Sequence, residues 1–308
     1  MNNCSEKSCK TQLIIICGPT ASGKTALAVE LAKKLNSKVI SADSLYVYKG
    51  LDVGTAKPTN EELCGIEHYM IDICDTCDTF SVGDYKEIAK PILQNLMLEN
   101  IIPIVCGGTG FYINSLIYNL SYGESKANLQ TRELYMKLAE EKGNLEVYKI
   151  LQQKDPETAL KLHHNDLKRV VRALEILDSG KKKSDINDDM KPIYNYKAFC
   201  IDYPREILYE RINKRVDVMF ENGLVDEVKS LINSGYDRSF QCMQGIGYKE
   251  VLDYLDGLFD LEKCKELIKL NTRHYAKRQI TFFKKLPNLV YLKPDKIENL
   301  VDRIIEQI

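Results

Sequence analysis

Residues 12–35, QLIIICGPTASGKTALAVELAKKL, decide the fold of this 308-residue chain. The run QLIIIC predicts a buried strand, and leucines at positions 27, 31 and 35 recur at the spacing of an amphipathic helix. Between these two elements, residues 18–25 read GPTASGKT and fit the pattern GxxxxGKS/T of a phosphate-binding loop, or P-loop. A strand, this loop and a helix in that order predict an α/β fold with a parallel sheet, a P-loop NTPase-like core.

The loop residues are chemically suited to an anionic ligand. Gly18 and Gly23 let backbone N–H groups turn toward a phosphate, and the helix that begins near Lys24 adds the positive end of its dipole. Lys24 adds a full charge, and the Thr25 hydroxyl is a ligand for Mg²⁺, the cofactor that we expect. The predicted diphosphate- or nucleotide-binding residues are Gly18, Pro19, Thr20, Ala21, Ser22, Gly23, Lys24 and Thr25.

The loop alone does not establish ATP as the ligand. A P-loop that hydrolyses ATP usually comes with an aspartate that follows an apolar strand and organises Mg²⁺. Asp43 and Asp72 are the candidates, and neither follows a clean run of four apolar residues. The P-loop therefore predicts phosphate binding and leaves the reaction open.

Apolar runs and helical patterns alternate along most of the chain. Further strands are predicted at 38–42, 101–106 and 197–203, and helices at 84–99, 110–119, 205–232 and 260–285. Residues 121–195 interrupt this alternation, because they are polar, helical and strand-poor, and they include the charged linker KKKSDINDDMKP. We therefore predict a catalytic core formed by residues 1–120 and 196–308, with residues 121–195 as a helical insertion domain.

The charges are nearly balanced, with 43 Lys and Arg against 44 Asp and Glu. This balance excludes a uniformly basic nucleic-acid-binding protein, but the charges are segregated along the chain. Residues 52–100 contain ten acidic and three basic residues, whereas residues 272–285 contain five basic and no acidic ones. The hydrophobic fraction of 44% excludes wholesale disorder. A folded protein with a local basic surface fits this composition.

No sequence feature indicates a membrane or a secreted protein. The apolar runs are far shorter than the ~20 residues of a spanning helix, and the polar N-terminus MNNCSEKSCKTQ lacks the apolar region of a signal peptide. The ten cysteines are scattered, which is typical of reduced thiols. Cys74 and Cys77 form a CxxC pair, but no second pair completes a zinc site. We expect a cytoplasmic location and no membrane partner.

Asp43 follows the predicted strand 38–42 and therefore lies at the sheet edge that carries the P-loop. A carboxylate there, beside Ser44, can accept a proton from a nucleophile that attacks near a bound phosphate. Alternatively, Asp43 is a turn or helix-capping residue. The long polar loop 42–59, ADSLYVYKGLDVGTAKPT, favours the functional interpretation, because loops at this edge commonly carry function.

Together, GPTASGKT, the loop at 42–59 and CGGTGFYINSL at 106–116 resemble the tRNA dimethylallyltransferases, also called tRNA isopentenyltransferases. The resemblance continues in order through HYMIDICDTCDTFSVGDY (68–85), DPETALKLHHNDLKRVVRALEI (155–176), RINKRVDVMFENGLVDEV (211–228), GIGYKEVLDYL (245–255) and TRHYAKRQITFFKK (272–285). It implies transfer of a dimethylallyl group from dimethylallyl diphosphate to N6 of adenosine 37, 3′-adjacent to the anticodon of tRNA, with release of diphosphate.

The resemblance also implies roles for individual residues. The P-loop would bind the diphosphate leaving group, and Asp43 matches the general base that takes a proton from the adenine amine. Thr109, in the GGTG turn, would hydrogen-bond the adenine or a diphosphate oxygen. Arg215, four residues after Arg211 on one helix face, matches a second diphosphate clamp or, alternatively, belongs to a solvated basic face. The implied catalytic residues are Asp43, Thr109, Lys24 and Arg215.

Four stretches match tRNA-contacting segments of the family, and Thr109 and Arg132 match single contact positions. The residues implied are Asp43, Ser44, Leu45, Tyr46, Thr109, Arg132, Lys168, Arg169, Val170, Val171, Arg172, Gly245, Ile246, Gly247, Tyr248, Lys249, Glu250, Lys277, Arg278, Gln279, Ile280, Thr281, Phe282, Phe283 and Lys284. Independently, a basic run interleaved with Phe282 and Phe283 is typical of phosphate contacts combined with base stacking. The expected partner is a tRNA anticodon stem-loop with its target adenine extruded, clamped by the insertion 121–195.

Two positions depart from the family pattern, with Lys168 where Gln is usual and Phe282 where Trp is common. We expect a bacterial-type enzyme without the zinc-finger tail of the eukaryotic relatives, and we expect a monomer. Three alternatives stay open: an adenylate isopentenyltransferase acting on free AMP, a small-molecule P-loop kinase, and a P-loop RNA-binding module without catalysis. The insertion and the basic runs favour tRNA over AMP as the acceptor.

Overall fold

The computed structural model describes residues 11–121, 129–180, 182–183 and 189–308. Contacts between Cα atoms divide the chain into two compact units, Met1–Ile117 with Pro192–Ile308, and Tyr118–Lys191. Residues 1–10 of the polar N-terminus, interpreted above as lacking a signal peptide, lie outside the described residues, as does part of the charged linker.

The strands, in chain order, are β1 (Leu13–Cys17), β2 (Val39–Ser41), β3 (His68–Tyr69), β4 (Ile104–Gly107), β5 (Tyr118–Asn119), β6 (Asp189–Pro192), β7 (Tyr196–Ile201) and β8 (Leu289–Leu292). Six of them form one sheet in the order β3-β2-β4-β1-β7-β8, and β5 pairs with β6 in a separate two-stranded sheet. Every neighbouring pair in the six-stranded sheet is parallel. The predicted α/β fold with a P-loop NTPase-like parallel sheet is therefore confirmed.

The helices are α1 (Lys24–Leu35), α2 (Asn60–Leu63), α3 (Val82–Leu98), α4 (Gly110–Ile117), α5 (Leu129–Lys142), α6 (Asn144–Lys154), α7 (Pro156–Ala159), α8 (Leu167–Asp178), α9 (Arg205–Glu221), α10 (Leu224–Asn233), α11 (Tyr248–Leu255), α12 (Leu261–Phe283) and α13 (Ile297–Ile305). Within the described ranges, no helix combines the length and the hydropathy that crossing a membrane requires.

The core of the first unit forms around β1, in which all five residues are buried. Leu27 and Leu31 of α1 pack on this strand together with Ile104 of β4, Phe199 of β7 and Leu300 of α13. Full burial of each such side chain stabilises the fold by about 1.5–3 kcal/mol. A strand covered on both faces explains why the sequence shows a continuous apolar run here instead of alternation.

The predicted strands at 12–17, 38–42, 101–106 and 197–203 are confirmed as β1, β2, β4 and β7. The prediction omits the short edge strands β3 and β8, together with α13. A single helix over 205–232 is wrong, because the chain forms two helices there. Gly223 separates α9 from α10 with φ of +92°, the left-handed conformation that ends a helix.

The second unit contains α5, α6, α7 and α8, and it has its own apolar core. Val147 and Leu151 of α6 pack against Val170 and Leu174 of α8, and all four are fully buried. The buried positions of α8 recur at i and i+4, so the helix directs one apolar face into this core. Its polar face carries the basic residues that the sequence places at 168, 169 and 172.

Gly107, at the end of β4, is required by a close approach of two backbones. A Cβ atom on Gly107 would lie 2.1 Å from the carbonyl oxygen of Ala42.

Gly107→Ala therefore forces the two segments apart, and we expect the free energy of unfolding to fall by about 3 kcal/mol in urea titrations. The control is Gly50→Ala, where φ is +72° and no atom lies within 4 Å, with an expected loss of about 1 kcal/mol. Equal losses at the two positions would contradict the steric explanation.

Candidate active site

The P-loop leaves β1 and enters α1 with the backbone geometry that its glycines permit. Gly18 has φ of +134° and Gly23 has φ of +85°, conformations that side chains rarely adopt. The buried Ser22 hydroxyl donates to the Pro19 carbonyl oxygen at 2.8 Å, and Lys24 Nζ donates to the same oxygen at 2.6 Å. The loop is thus closed by its own side chains.

The Lys24 ammonium group lies among both charged and neutral neighbours. Burial lowers the pKa of Lys24, the positive charge of Arg215 lowers it further, and the Asp43 carboxylate raises it. Burial raises the pKa of the neighbouring Cys106 and Cys200 thiols to about 12, so both stay neutral. An anion bound beside Lys24 would favour its charged form.

Asp43 and Thr109 are brought together by contacts between the loops that follow β2 and β4. Thr109 N donates to the Ala42 carbonyl oxygen at 2.9 Å, and Ser44 N donates to the Thr109 hydroxyl at 3.1 Å. Asp43 Oδ1 accepts a hydrogen bond from Leu45 N at 3.0 Å. Asp43 is therefore a turn residue, as the alternative interpretation expects, and the same side chain also lines the cavity described below.

Gln279 of α12 joins the P-loop to the turn that carries Thr109. Its side-chain oxygen accepts from Thr20 N at 2.9 Å, and its amide nitrogen donates to the Gly108 carbonyl oxygen at 3.0 Å. A Cβ atom on Gly108 would lie 2.1 Å from that nitrogen, so a side chain at position 108 would displace the Gln279 amide group. Gln279 is 5% exposed. A residue predicted to contact tRNA thus has a defined set of partners inside the chain.

Tyr275 is a site residue absent from the prediction. Its pKa is raised to about 12, first by burial and then by the nearby Asp43 carboxylate, while Thr109 and Arg278 oppose this rise. The hydroxyl therefore stays neutral, and it interacts with the side chains of Thr109 and Gln279. The signal in the sequence is its position four residues before Gln279, which places both side chains on one face of α12.

Two arginines of α9 hold different parts of the site. Arg211 Nε donates to the Ala21 carbonyl oxygen at 2.8 Å and so supports the P-loop backbone. Arg215 Nη2 donates to the Thr55 carbonyl oxygen at 2.7 Å and lies 3.4 Å from the Ala56 carbonyl oxygen. Because Arg215 is half-buried and lines the cavity, its charge faces any anion bound there.

One cavity of about 1200 Å³ is lined by Lys24, Asp43 and Arg215, whereas Thr109 is not among its lining residues. The predicted residues that line it are Thr20, Ala21, Gly23, Lys24, Thr25, Asp43, Ser44, Leu45, Tyr46, Arg215, Gly245, Ile246, Lys249, Arg278 and Gln279. Tyr275 and Arg211 line it as well, whereas the P-loop residues Gly18, Pro19 and Ser22 are buried and are not among the lining residues. Small-molecule sites usually measure ~300–1,000 Å³, so this cavity has room for more than one reacting group.

The predicted magnesium ligand, Thr25, lines the cavity. No group of three or more His, Cys, Asp or Glu suited to a metal ion occurs among the residues that the structure describes. A magnesium ion bound by one hydroxyl and by phosphate oxygens of a ligand is compatible with these donors. Two aspartates are the predicted candidates for organising Mg²⁺. Asp43 lines the cavity, whereas Asp72 is paired with Lys57 at 2.5 Å and is not among the cavity residues.

The predicted tRNA-contacting stretches contain both exposed and buried side chains. Those exposed on α8, on α12 and just after α12 are Lys168, Arg169, Lys277, Arg278, Thr281 and Lys284. Those buried are Val170, Val171, Gly247, Tyr248, Glu250, Gln279 and Phe283, and half-buried are Arg172, Gly245, Ile246, Lys249, Ile280 and Phe282. The buried members pack inside the chain, so only the exposed and half-buried ones are accessible from solvent.

An exposed aromatic residue, Phe111, lies next to the turn that carries Thr109 and is absent from the prediction. It is 57% exposed, and its ring contacts Phe282 edge to face at a centroid distance of 5.3 Å. Phe282 in turn packs against Gly110, where a Cβ atom would lie 2.2 Å from the ring. The Phe282 ring is therefore held in place from α4, and Phe111 extends this aromatic surface toward solvent.

In the second unit, the buried carboxylate of Glu175 binds two arginines. Arg132 donates to its two oxygens from Nε and Nη2, both at 3.1 Å, and Arg172 Nη1 donates at 3.2 Å. Glu175 is 2% exposed, whereas Arg132 is exposed and Arg172 is half-buried. The carboxylate thus fixes two predicted tRNA-contacting cations on α5 and α8.

Comparisons with known proteins show which family the chain is similar to. The sequence matches the family model of IPP transferase over residues 46–286. A tRNA dimethylallyltransferase of Acetivibrio thermocellus is 45% identical over 291 residues, which cover 93% of each chain.

Two solved structures are also similar to this chain over nearly its whole length. A tRNA delta(2)-isopentenylpyrophosphate transferase from Staphylococcus epidermidis is 40% identical with a TM-score of 0.72, covering 97% of this chain and 98% of that one. A eukaryotic dimethylallyltransferase acting on tRNA is 29% identical with a TM-score of 0.81, covering 97% and 77%. Since the family match spans most of the chain and the relatives align over nearly all of it, this chain belongs to the IPP transferase family.

Proposed function

We propose that this protein is a tRNA dimethylallyltransferase, which transfers the dimethylallyl group of dimethylallyl diphosphate to N6 of adenosine 37 in tRNA and releases diphosphate. The observation that carries the proposal is the grouping of Asp43 and the cations Lys24 and Arg215 at one cavity, beside a Thr109 hydroxyl held by Ser44 N at 3.1 Å. Family membership makes this the expected use of the cavity.

In the proposed reaction, the bond between C1 of the dimethylallyl group and the diphosphate oxygen breaks as N6 of adenine attacks C1. The bond electrons leave with diphosphate, whose growing charge is stabilised by the P-loop N–H groups, Lys24 and Arg215. The Thr25 hydroxyl would hold Mg²⁺, which would supply further charge neutralisation for the leaving group. Asp43 accepts the N6 proton, which restores the neutral amine of the product.

The proposed acceptor is the anticodon stem-loop, with the target adenine extruded into the cavity. Its phosphates meet the exposed cations of α12, and Phe111 with Phe282 offers aromatic faces for neighbouring bases. Arg132, Lys168, Arg169 and Arg172 of the second unit provide a further basic surface for the stem. Because the cavity is formed within one unit of a single chain, we expect a monomer, and we expect it in the cytoplasm, where tRNA is processed.

A labelling experiment tests the function. The protein is incubated with Mg²⁺ and labelled dimethylallyl diphosphate, and with unmodified tRNA, AMP or no acceptor. We expect label in tRNA alone, located at adenosine 37 by nuclease mapping. Label in AMP and not in tRNA would favour the adenylate isopentenyltransferase, and activity that requires ATP would favour a kinase.

The proposed role of Asp43 is tested by one substitution. Asp43→Asn keeps the shape of the side chain and removes its basicity, so we expect single-turnover prenyl transfer to slow by about 10²–10⁴-fold. Affinity for tRNA should change much less, because the side chain is only one of many contacts. A loss below about threefold in the transfer rate would remove Asp43 from the role of general base.

The proposed contact of Lys277 and Arg278 with tRNA is tested by a double substitution. The double change Lys277→Ala and Arg278→Ala removes two exposed cations, so we expect weaker tRNA binding and a slope of log Kd against log salt reduced by about 1–2. The matched control is Lys34→Ala, an exposed lysine of α1 outside the cavity. If the control reduced the slope equally, net charge alone would explain the effect and α12 would have no special part in it.

A further inference from the structure

Glu227, in the first turn of α10, is a carboxylate surrounded by four hydrogen-bond donors. Its Oε2 accepts from Asp52 N at 2.9 Å and from Val53 N at 2.7 Å. Its Oε1 accepts from Gly54 N at 2.9 Å and from the Tyr248 hydroxyl at 2.7 Å. Three consecutive main-chain N–H groups thus converge on one side chain, as they do around a bound anion.

The loop 51–57 is folded so that its N–H groups and its carbonyl groups serve different partners. Ala56 N donates to the Val53 carbonyl oxygen at 3.0 Å, and Lys57 N donates to the Asp52 carbonyl oxygen at 2.9 Å, so the first turn is enclosed by the second. The N–H groups of residues 52–54 then meet Glu227, while the carbonyl oxygens of residues 55 and 56 meet Arg215. The loop therefore connects a carboxylate on α10 to a guanidinium on α9.

Two tyrosines hold this loop from either side. Tyr248 is fully buried, and a Cβ atom on Gly54 would lie 2.5 Å from its ring, so ring and loop are in direct contact. Burial, and then the Glu227 charge, raise the pKa of Tyr248, which keeps its hydroxyl a donor. On the other side, the Tyr46 hydroxyl donates to the Ala56 carbonyl oxygen at 3.0 Å, the oxygen that Arg215 also approaches.

We propose that Glu227 is a positioning residue of the diphosphate site. By binding the N–H groups of residues 52–54, it fixes the two carbonyl oxygens that hold the Arg215 guanidinium at the cavity. Glu227 is not among the cavity residues, so it acts through Arg215 and not on the substrate. The inference rests on the proposed function only in taking diphosphate as the anion that Arg215 binds.

The chemistry of the carboxylate makes the inference testable with a change of one atom. Glu227→Gln keeps the size of the side chain but replaces one oxygen, and each oxygen accepts two donors. Whichever way the amide is oriented, its NH₂ group faces main-chain N–H and cannot accept from it. At least one N–H group of the loop loses its acceptor, so the loop and Arg215 are released from their places.

The experiment measures binding of inorganic diphosphate with Mg²⁺ by calorimetry, together with binding of an anticodon stem-loop. We expect Glu227→Gln to weaken diphosphate binding by about 10-fold or more, as expected for a displaced clamp, and to leave stem-loop affinity within about twofold. In an Arg215→Ala background, Glu227→Gln should add less than about threefold, because the residue through which it acts is gone. The matched control is Asp226→Asn, one residue earlier and exposed, which should leave diphosphate binding unchanged.

Unchanged diphosphate binding in Glu227→Gln would overturn the proposal, and so would a full, multiplicative loss in the Arg215→Ala background. If Glu227→Gln does not fold, Glu227→Asp keeps the charge but shortens the side chain by one carbon, so that its carboxylate no longer reaches the N–H groups of residues 52–54. It is measured in the same two backgrounds, with the same two overturning results. A wild-type protein that binds diphosphate but labels no tRNA would refute the proposed function, while the comparison of diphosphate affinities would still test Glu227.

Discussion

One close approach of two backbones organises this site, namely that of the Ala42 carbonyl group to Gly107 at the end of β4. The same carbonyl oxygen accepts from Thr109 N at 2.9 Å, and Ser44 N then reaches the Thr109 hydroxyl at 3.1 Å. Because these contacts join the ends of neighbouring parallel strands, the sheet itself sets the distance between Asp43 and the GGTG turn. β1 pairs with the other side of β4, so the P-loop emerges at the same edge.

The pattern of residues along the chain was sufficient to predict the elements that short stretches of sequence determine. β1, the P-loop and α1 follow from an apolar run, two glycines and helical spacing, and Asp43 follows from the rule that parallel strands end at one edge. β3 has only two residues and leaves no periodic signal. Gln279 contacts Gly108 across 171 positions of the chain, and Glu227 contacts Gly54 across 173, and no local pattern encodes such pairs.

The two faces of helix α12 differ in burial, although the prediction assigned one contiguous stretch of it to tRNA binding. Ala276, Gln279 and Phe283 recur at spacings of three and four and are buried, whereas Lys277 and Arg278 between them are exposed. The buried face supports the P-loop and the GGTG turn, and the exposed face carries charge. The family resemblance assigns the whole stretch to tRNA, and only the burial of individual side chains separates the two tasks.

Gly54, Tyr248 and Glu227 are in direct contact with one another, which limits the substitutions that each position tolerates. A side chain at position 54 would have to displace the Tyr248 ring, since a Cβ atom there would lie 2.5 Å from it. A smaller residue at 248 would make that space but would remove the hydroxyl that donates to Glu227 at 2.7 Å. Each position therefore sets which substitutions the other two tolerate, and the three form a single unit of epistasis spread over nearly two hundred residues of chain.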